Sequence, residues 1–200
     1  IIEKYGVDQL RYYLIKEVSL GNDGNISLEN LKNCINNDLA NNYGNLCQRV
    51  FSYIQKNYNG CIPKPKKLLN ADIALRDNLK DNVESLVEIV NKQDLNTYIK
   101  RVVEFSFEAN KYFNDSKPWS LKETDPDRMD TILFTVVDHI KNISILLSPI
   151  MPIASNKILD ILNIANEKRN INNINNENSF DHKTSIKKAE ILFKKIEDDN

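Results

Sequence analysis

Glycine and proline are scarce, five and six in 200 residues. Turn chemistry is therefore thin, and long periodic stretches are left to form helices. Cysteine is rarer still: Cys34, Cys47 and Cys61 are odd in number and widely spaced. That excludes a disulfide framework and any metal-ligand spacing, and it fits a reducing, cytosolic setting. Charge of one sign is missing too, because the formal net charge is -1. No global basic field is available for nucleic acid, so any RNA contact has to be local and chemically specific. No apolar run approaches the roughly 20 residues that span a bilayer, so no membrane partner is expected. What is present is ordinary globular material, 41% hydrophobic and 28% charged, enough for one sizeable core.

The opening "IIEKYGVDQL" has acids near its start, no long apolar region and no initiator Met, so it reads as the cut end of a longer protein and not as a signal peptide. Apolar residues at helical spacing predict a first helix over 7–18, which "LGNDGNIS" breaks. Ser27 is a fitting N-cap for a long second helix, with Glu29 in its first turn. Its stripe runs Leu28, Leu31, Ile35, Leu39, Leu46, Val50 and Ile54, and Asn42 stands where the period asks for an apolar residue. After the "NGCIPKPKK" loop, further helices are predicted over 75–90, 95–113, 129–147 and, beyond "SPIMPIA", to about 164. Strand alternation is nowhere sustained. The expected fold is all-α, an antiparallel helix bundle. Residues 163–183 are Asn-rich and read as a mobile excursion, followed by an apolar tail "ILFKKIED" able to dock back.

A catalytic set is not visible. His139 lies mid-helix and reads as a half-buried or surface histidine; His182 sits in the Asn-rich segment. There is no Gly-rich phosphate loop and no nucleophile elbow. Asp23, Asp125 and Asp127 read as turn or cap residues.

Binding is the better lead. In "NYGNLCQRVF", Asn45 and Arg49 are four apart and project from one flank of the apolar stripe. An amide can pair with a base edge, and a guanidinium can stack on a base or fork onto phosphate. The alternative is an Arg paired with a nearby acid and an Asn bonding backbone at a helix junction. In "NDSKPWS", the single Trp of the chain, Trp119, follows Pro118, which stiffens its entry. Such a Trp is either a lid on the core or a presented platform for a base.

Four stretches carry a resemblance: "KYGVDQLRYYLIKEVSLGNDGNISLENL", "NNDLANNYGNLCQRV", "ANKYFNDSKPWSL" and "LLSPIMPIASNKIL". Together they resemble the C-terminal, anticodon-binding part of the methionyl-tRNA synthetases, class I enzymes, over about residues 1–162. The resemblance implies that Asn45 and Arg49 read the anticodon and that Pro118 and Trp119 pack against its bases. Asn110 and Asn114 follow as secondary candidates, and Asn42 as a structural joint. It implies a division into residues 1–26, the end of a connecting region that leans on the tRNA, 27–165, the anticodon-binding domain, and 166–200, the Asn-rich excursion and tail. The parent enzyme would be cytoplasmic and would join methionine to its tRNA using ATP with magnesium, in a catalytic part upstream. No cofactor is expected in this chain. Zinc content, and monomer against homodimer, stay open. Backbone contacts are expected from Lys64, Lys66 and Lys67, or from Lys100 and Arg101. Two other readings stand beside this one: the bundle of another class I synthetase, such as the cysteine, valine or leucine enzyme, or a helical protein-interaction module without RNA binding. The latter requires a large exposed apolar patch and Trp119 turned inward.

Overall fold

The computed structural model describes residues 2–18, 21, 24, 26–183, 185–188 and 190–197. Ser19, Leu20, Asn22, Asp23 and Asn25 of the expected first break, with the turn role assigned to Asp23, lie outside the described residues. The helices are α1 (Ile2–Tyr5), α2 (Val7–Glu17), α3 (Leu28–Cys34), α4 (Asn45–Tyr58), α5 (Asn70–Asp81), α6 (Val83–Asn91), α7 (Leu95–Ser116), α8 (Pro126–Leu147) and α9 (Pro152–Ile161). A π-helical segment, Ile35–Gly44, joins α3 to α4 without a break. Among the described residues the one β contact is an isolated bridge between Cys61 and Ser185. The all-α bundle expected from the sequence is the fold observed.

The centre is α8. From Thr131 to Leu147 every residue is buried, which is why this helix is apolar on most of its circumference. Two of its hydroxyls are satisfied within the helix: Thr135 Oγ1 donates to the Thr131 carbonyl at 2.8 Å and Ser144 Oγ to the Ile140 carbonyl at 2.8 Å. α7 lies antiparallel beside it, and α4, α5 and α9 close the remaining sides. Helix starts follow capping chemistry. Ser27 accepts from the Asn30 amide at 3.3 Å, Asp94 from Thr97 at 3.1 Å and Asp125 from Arg128 at 3.0 Å. Pro126 then occupies the first turn of α8, so this helix begins three residues before the apolar pattern does.

α2 is clamped onto the corner between α8 and α9. Arg11 donates to the Ile150 and Pro149 carbonyls at 2.7 and 2.9 Å, in the turn that follows α8. Asp8 accepts from the Ala154 amide at 2.7 Å, capping α9 from outside. The "KYGVDQLR" and "SPIMPIA" stretches therefore fold as one joint.

Two expectations need correction. The single helix over 75–90 is two, α5 and α6, broken at Asn82, whose side-chain amide bonds back to the Asn78 carbonyl at 2.7 Å. The Asn-rich segment is packed on the bundle and is not an excursion. Asn175 donates to the Arg76 carbonyl at 2.8 Å and accepts from Asn142 at 2.8 Å. The Lys141 ammonium, fully buried against Asp138 at 2.8 Å, donates to the carbonyls of Asn173 and Asn176 at 3.1 and 3.2 Å. Phe180 and Ile186 enter the core. The tail docks as well: Phe193 is buried, and Asn36 pairs twice with the Ile196 backbone, at 3.0 and 2.8 Å.

Candidate nucleic-acid interface

The π-helical stretch decides which side chains α4 presents. Asn42, Tyr43 and Gly44 are buried in succession, which one face of a 3.6-residue helix does not allow. Each has a fixed partner. Asn42 donates to Ser106 Oγ at 2.6 Å and accepts from Asn110 Nδ2 at 2.6 Å. Tyr43 Oη lies 2.6 Å from Ser144 Oγ and donates to the Ile140 carbonyl at 3.2 Å. A Cβ on Gly44 would lie 2.9 Å from the Leu39 carbonyl oxygen and 3.1 Å from the Phe193 ring, so only glycine lets the tail come this close. Asn42 is thus the joint between the second helix and α7, as the sequence suggested, and Asn110 serves the same joint.

With the junction filled, Asn45 and Arg49 emerge beside it on the first turns of α4. Asn45 is exposed and Arg49 half-buried. The Arg49 guanidinium carbon lies 5.1 Å from the Phe113 ring centroid and 5.8 Å from that of Trp119. The two rings meet edge to face at 5.6 Å. Among the described residues no acid or carbonyl pairs with Arg49; it has only the two π faces, which leaves its donors free. The alternative of an Arg held by a neighbouring acid is therefore not what the chain builds.

Trp119 is brought here by the end of α7. Lys117 takes the left-handed conformation, φ 42, and reverses the chain into a 3₁₀ turn, Pro118–Ser120. Ser120 Oγ donates back to the Lys117 carbonyl at 2.8 Å and locks that turn. Pro118 is buried beneath, while Trp119 stays 44% exposed. Asn45, Arg49, Phe113 and Trp119 thus make a continuous edge: a free amide, a free fork and a flat exposed indole. This is the chemistry by which proteins hold unpaired bases, stacking on aromatic and guanidinium planes and pairing with base edges.

The other candidates are placed as follows. Asn114 is exposed on the last turn of α7. Lys64, Lys66 and Lys67 are exposed at the same end of the bundle, since the Lys66 amide donates to Thr131 near the start of α8 at 3.0 Å. Lys100 and Arg101 are not near: about 16 residues of α7, roughly 24 Å, separate them from the turn at Lys117. Arg101 pairs with Glu104 at 3.2 Å. His139 is fully buried in α8, neither half-buried nor on the surface, and burial holds it neutral, pushed down to about 4, with the Phe105 backbone acting the other way. Cys47, between Asn45 and Arg49, is buried on another face, and burial pushes its thiol up. Among the described residues no three His, Cys, Asp or Glu side chains cluster to hold a metal. Among the described residues no helix is long and apolar enough to cross a membrane. Sequence reasoning missed Phe113, the second ring under Arg49, because its helical spacing marks it as core, and it is also core.

The class of this all-helical bundle is that of the class I tRNA synthetases: a family model described as tRNA synthetases class I (M) matches residues 1–51. A second family model, the anticodon binding domain of methionyl tRNA ligase, matches residues 62–200, most of the chain. The chain belongs to that methionyl-tRNA ligase family. Among curated relatives, the methionine–tRNA ligase of Brucella suis is 40% identical over 162 residues, covering 81% of this chain and 32% of that protein. That of Rickettsia felis is 34% identical over 202 residues, covering 100% of this chain and 40% of that protein. The chain therefore spans about a third to two fifths of the length of the curated relatives it matches. In structure it is similar to apo Mycobacterium tuberculosis methionyl-tRNA synthetase, with a TM-score of 0.92 and 31% identity over 99% of this chain and 40% of that one. The same enzyme in complex with methionyl-adenylate gives 0.90 and 32%, over 96% and 38%.

Proposed function

We propose that this chain binds the anticodon loop of a methionine tRNA, as part of an enzyme that joins methionine to that tRNA in the cytoplasm. ATP, with magnesium, would be consumed by the remainder of such an enzyme. The observation that carries this reading is the Arg49 guanidinium, free of any acid and mounted on Phe113 and an exposed Trp119.

The division of labour follows from chemistry. Trp119 stacks on the first anticodon base, splayed out of the loop, and Pro118 fixes the plane of the ring from below. Asn45 and Arg49 pair with the edge of that base or its neighbour. A wrong base leaves those donors and acceptors unpaired in a partly dry site, which costs about 1–3 kcal/mol each. Asn114 lies at the rim, and Asn110 supports Asn45 through the Asn42 joint. Lys64, Lys66 and Lys67 draw in the phosphate backbone, and the near-zero net charge keeps attraction to unrelated RNA modest.

The test is affinity for a stem-loop with a CAU anticodon. Trp119→Ala is expected to weaken it by roughly ten- to a hundredfold with the fold intact, the measure of one lost stack. Replacing the first anticodon base should hurt the native chain far more than an Asn45→Ala, Arg49→Ala double variant. Undiminished binding by Trp119→Ala, or equal losses in the second comparison, would remove these residues from the interface.

A further inference from the structure

Beside Asn45, on the side away from Arg49, the chain builds a second recess that the proposed anticodon contacts do not use. It is an open cleft of about 240 Å³ between the π-helical segment with the start of α4 and the docked tail. Its walls include Asn41, Gly44, Asn45 and Gln48 from the helix and Phe193 and Lys195 from the tail. The tail wall is held in place at two points. Phe193 is buried over Gly44, where the missing Cβ makes room for it. Two residues beyond Phe193 in the chain comes exposed Lys195, and the next residue, Ile196, is gripped by both ends of the Asn36 amide at 3.0 and 2.8 Å. An amide bonding both backbone groups of one residue fixes that residue as a strand partner would. Lys195 is thereby aimed by its neighbours on both sides, although it lies in an irregular tail.

The chemistry of the cleft is selective. Three of its walls are uncharged amides, and Lys195 is the one charged side chain lining it among the described residues. Asn41, Asn45 and Gln48 recur at four and then three residues, on one helix face, so the recess continues the line of Asn45 and Arg49. Asn45 belongs to both the recess and the platform edge, and one helical turn, about 6 Å, separates it from Arg49. An ammonium with amide donors around it suits a phosphodiester with its ribose hydroxyl, and it suits a base plane poorly, since no exposed aromatic face lines the walls.

We infer that the cleft under the docked tail seats the phosphate and ribose of the nucleotide adjoining the one stacked on Trp119, with Lys195 as the phosphate contact. This rests on the anticodon-binding reading and adds the tail to it. The tail becomes a functional wall of the site, and its clamp at Asn36 and Phe193 positions Lys195.

Stem-loop binding measured against salt separates the two layers of the argument. Lys195→Ala is expected to weaken the native CAU stem-loop several-fold at low salt and to lower the slope of log affinity against log salt by about 0.7, the value for one phosphate on a single strand. Asn36→Ala, which frees the tail without touching RNA, is expected to give the same change and to add nothing to Lys195→Ala. The conservative Lys195→Arg should retain the slope. If Lys195→Ala leaves affinity and slope unchanged while Trp119→Ala weakens binding as expected, this inference is wrong and the anticodon reading stands. If both variants bind as the native chain does, the anticodon reading itself has failed.

Discussion

Arg49 and Arg128 carry the same guanidinium into opposite settings. Arg128 donates from Nη2 to Asp72 Oδ1 at 2.8 Å and from Nη1 to Oδ2, a forked pair that Tyr112 and the Leu69 amide complete. Asp72 is fully buried, and burial raises its carboxyl, yet the bonds from Arg128, Tyr112 and Leu69 outweigh burial and hold it below 3.8. A carboxylate held low in the folded state contributes stability above its unfolded value and loses it as pH falls through the folded one. Asp72→Asn should therefore cost about 3 kcal/mol near neutrality, by leaving Arg128 without its counter-charge, and should flatten the decline in stability below about pH 4. Urea titrations of both proteins across the acid range check this; parallel acid limbs would exclude Asp72 as their source. Arg49 has no such tie. Its contact with two rings contributes on the order of 1 kcal/mol at a half-buried site, so its place in the molecule is poorly explained by stability.

At the scale of elements, the pieces differ in how they announce themselves. α7 and α8 were readable because apolar residues recur along both at helical spacing, with Asp125 legible as a turn or cap residue before α8. The π-helical segment had no signature, since nothing local distinguishes it from α-helix. It is fixed by Asn42 against Ser106 and Asn110 and by Tyr43 against Ser144, partners 64 to 101 residues away. The Asn-rich segment misled for a related reason. Its asparagines look like solvated chain, but several donate to or accept from buried groups on α5 and α8, and Asn175 adopts the left-handed backbone that Asn tolerates. Asn175→Ala should then raise amide exchange throughout 171–176 and lower stability by about 1–2 kcal/mol, having left Asn142 and the Arg76 carbonyl short of a partner. Exchange as fast in the native chain as in the variant would show that the segment does not hold to the bundle.

For the molecule as a whole, the candidate site joins parts that are distant in sequence. Asn45 and Arg49 come from α4, Phe113 from the end of α7 and Trp119 from the turn beyond it. Spacing made the Asn45–Arg49 pair legible, and the isolation of Trp119 in a polar loop made it conspicuous. Their meeting was not legible, because it depends on the left-handed turn at Lys117 and on the packing of α4 and α7 around the Asn42 joint. The clamp of the tail by Asn36 was hidden for the same reason, at a separation of 160 residues. Trp119 is the single tryptophan of the chain, so its emission reports on this edge alone. Titrating the chain with a CAU stem-loop is predicted to quench that emission saturably, and a loop altered at the first anticodon base is predicted to do so only at far higher concentration. Emission that stays constant, or that falls equally with both loops, would contradict the claim that a free cation and an exposed indole read an unpaired base here.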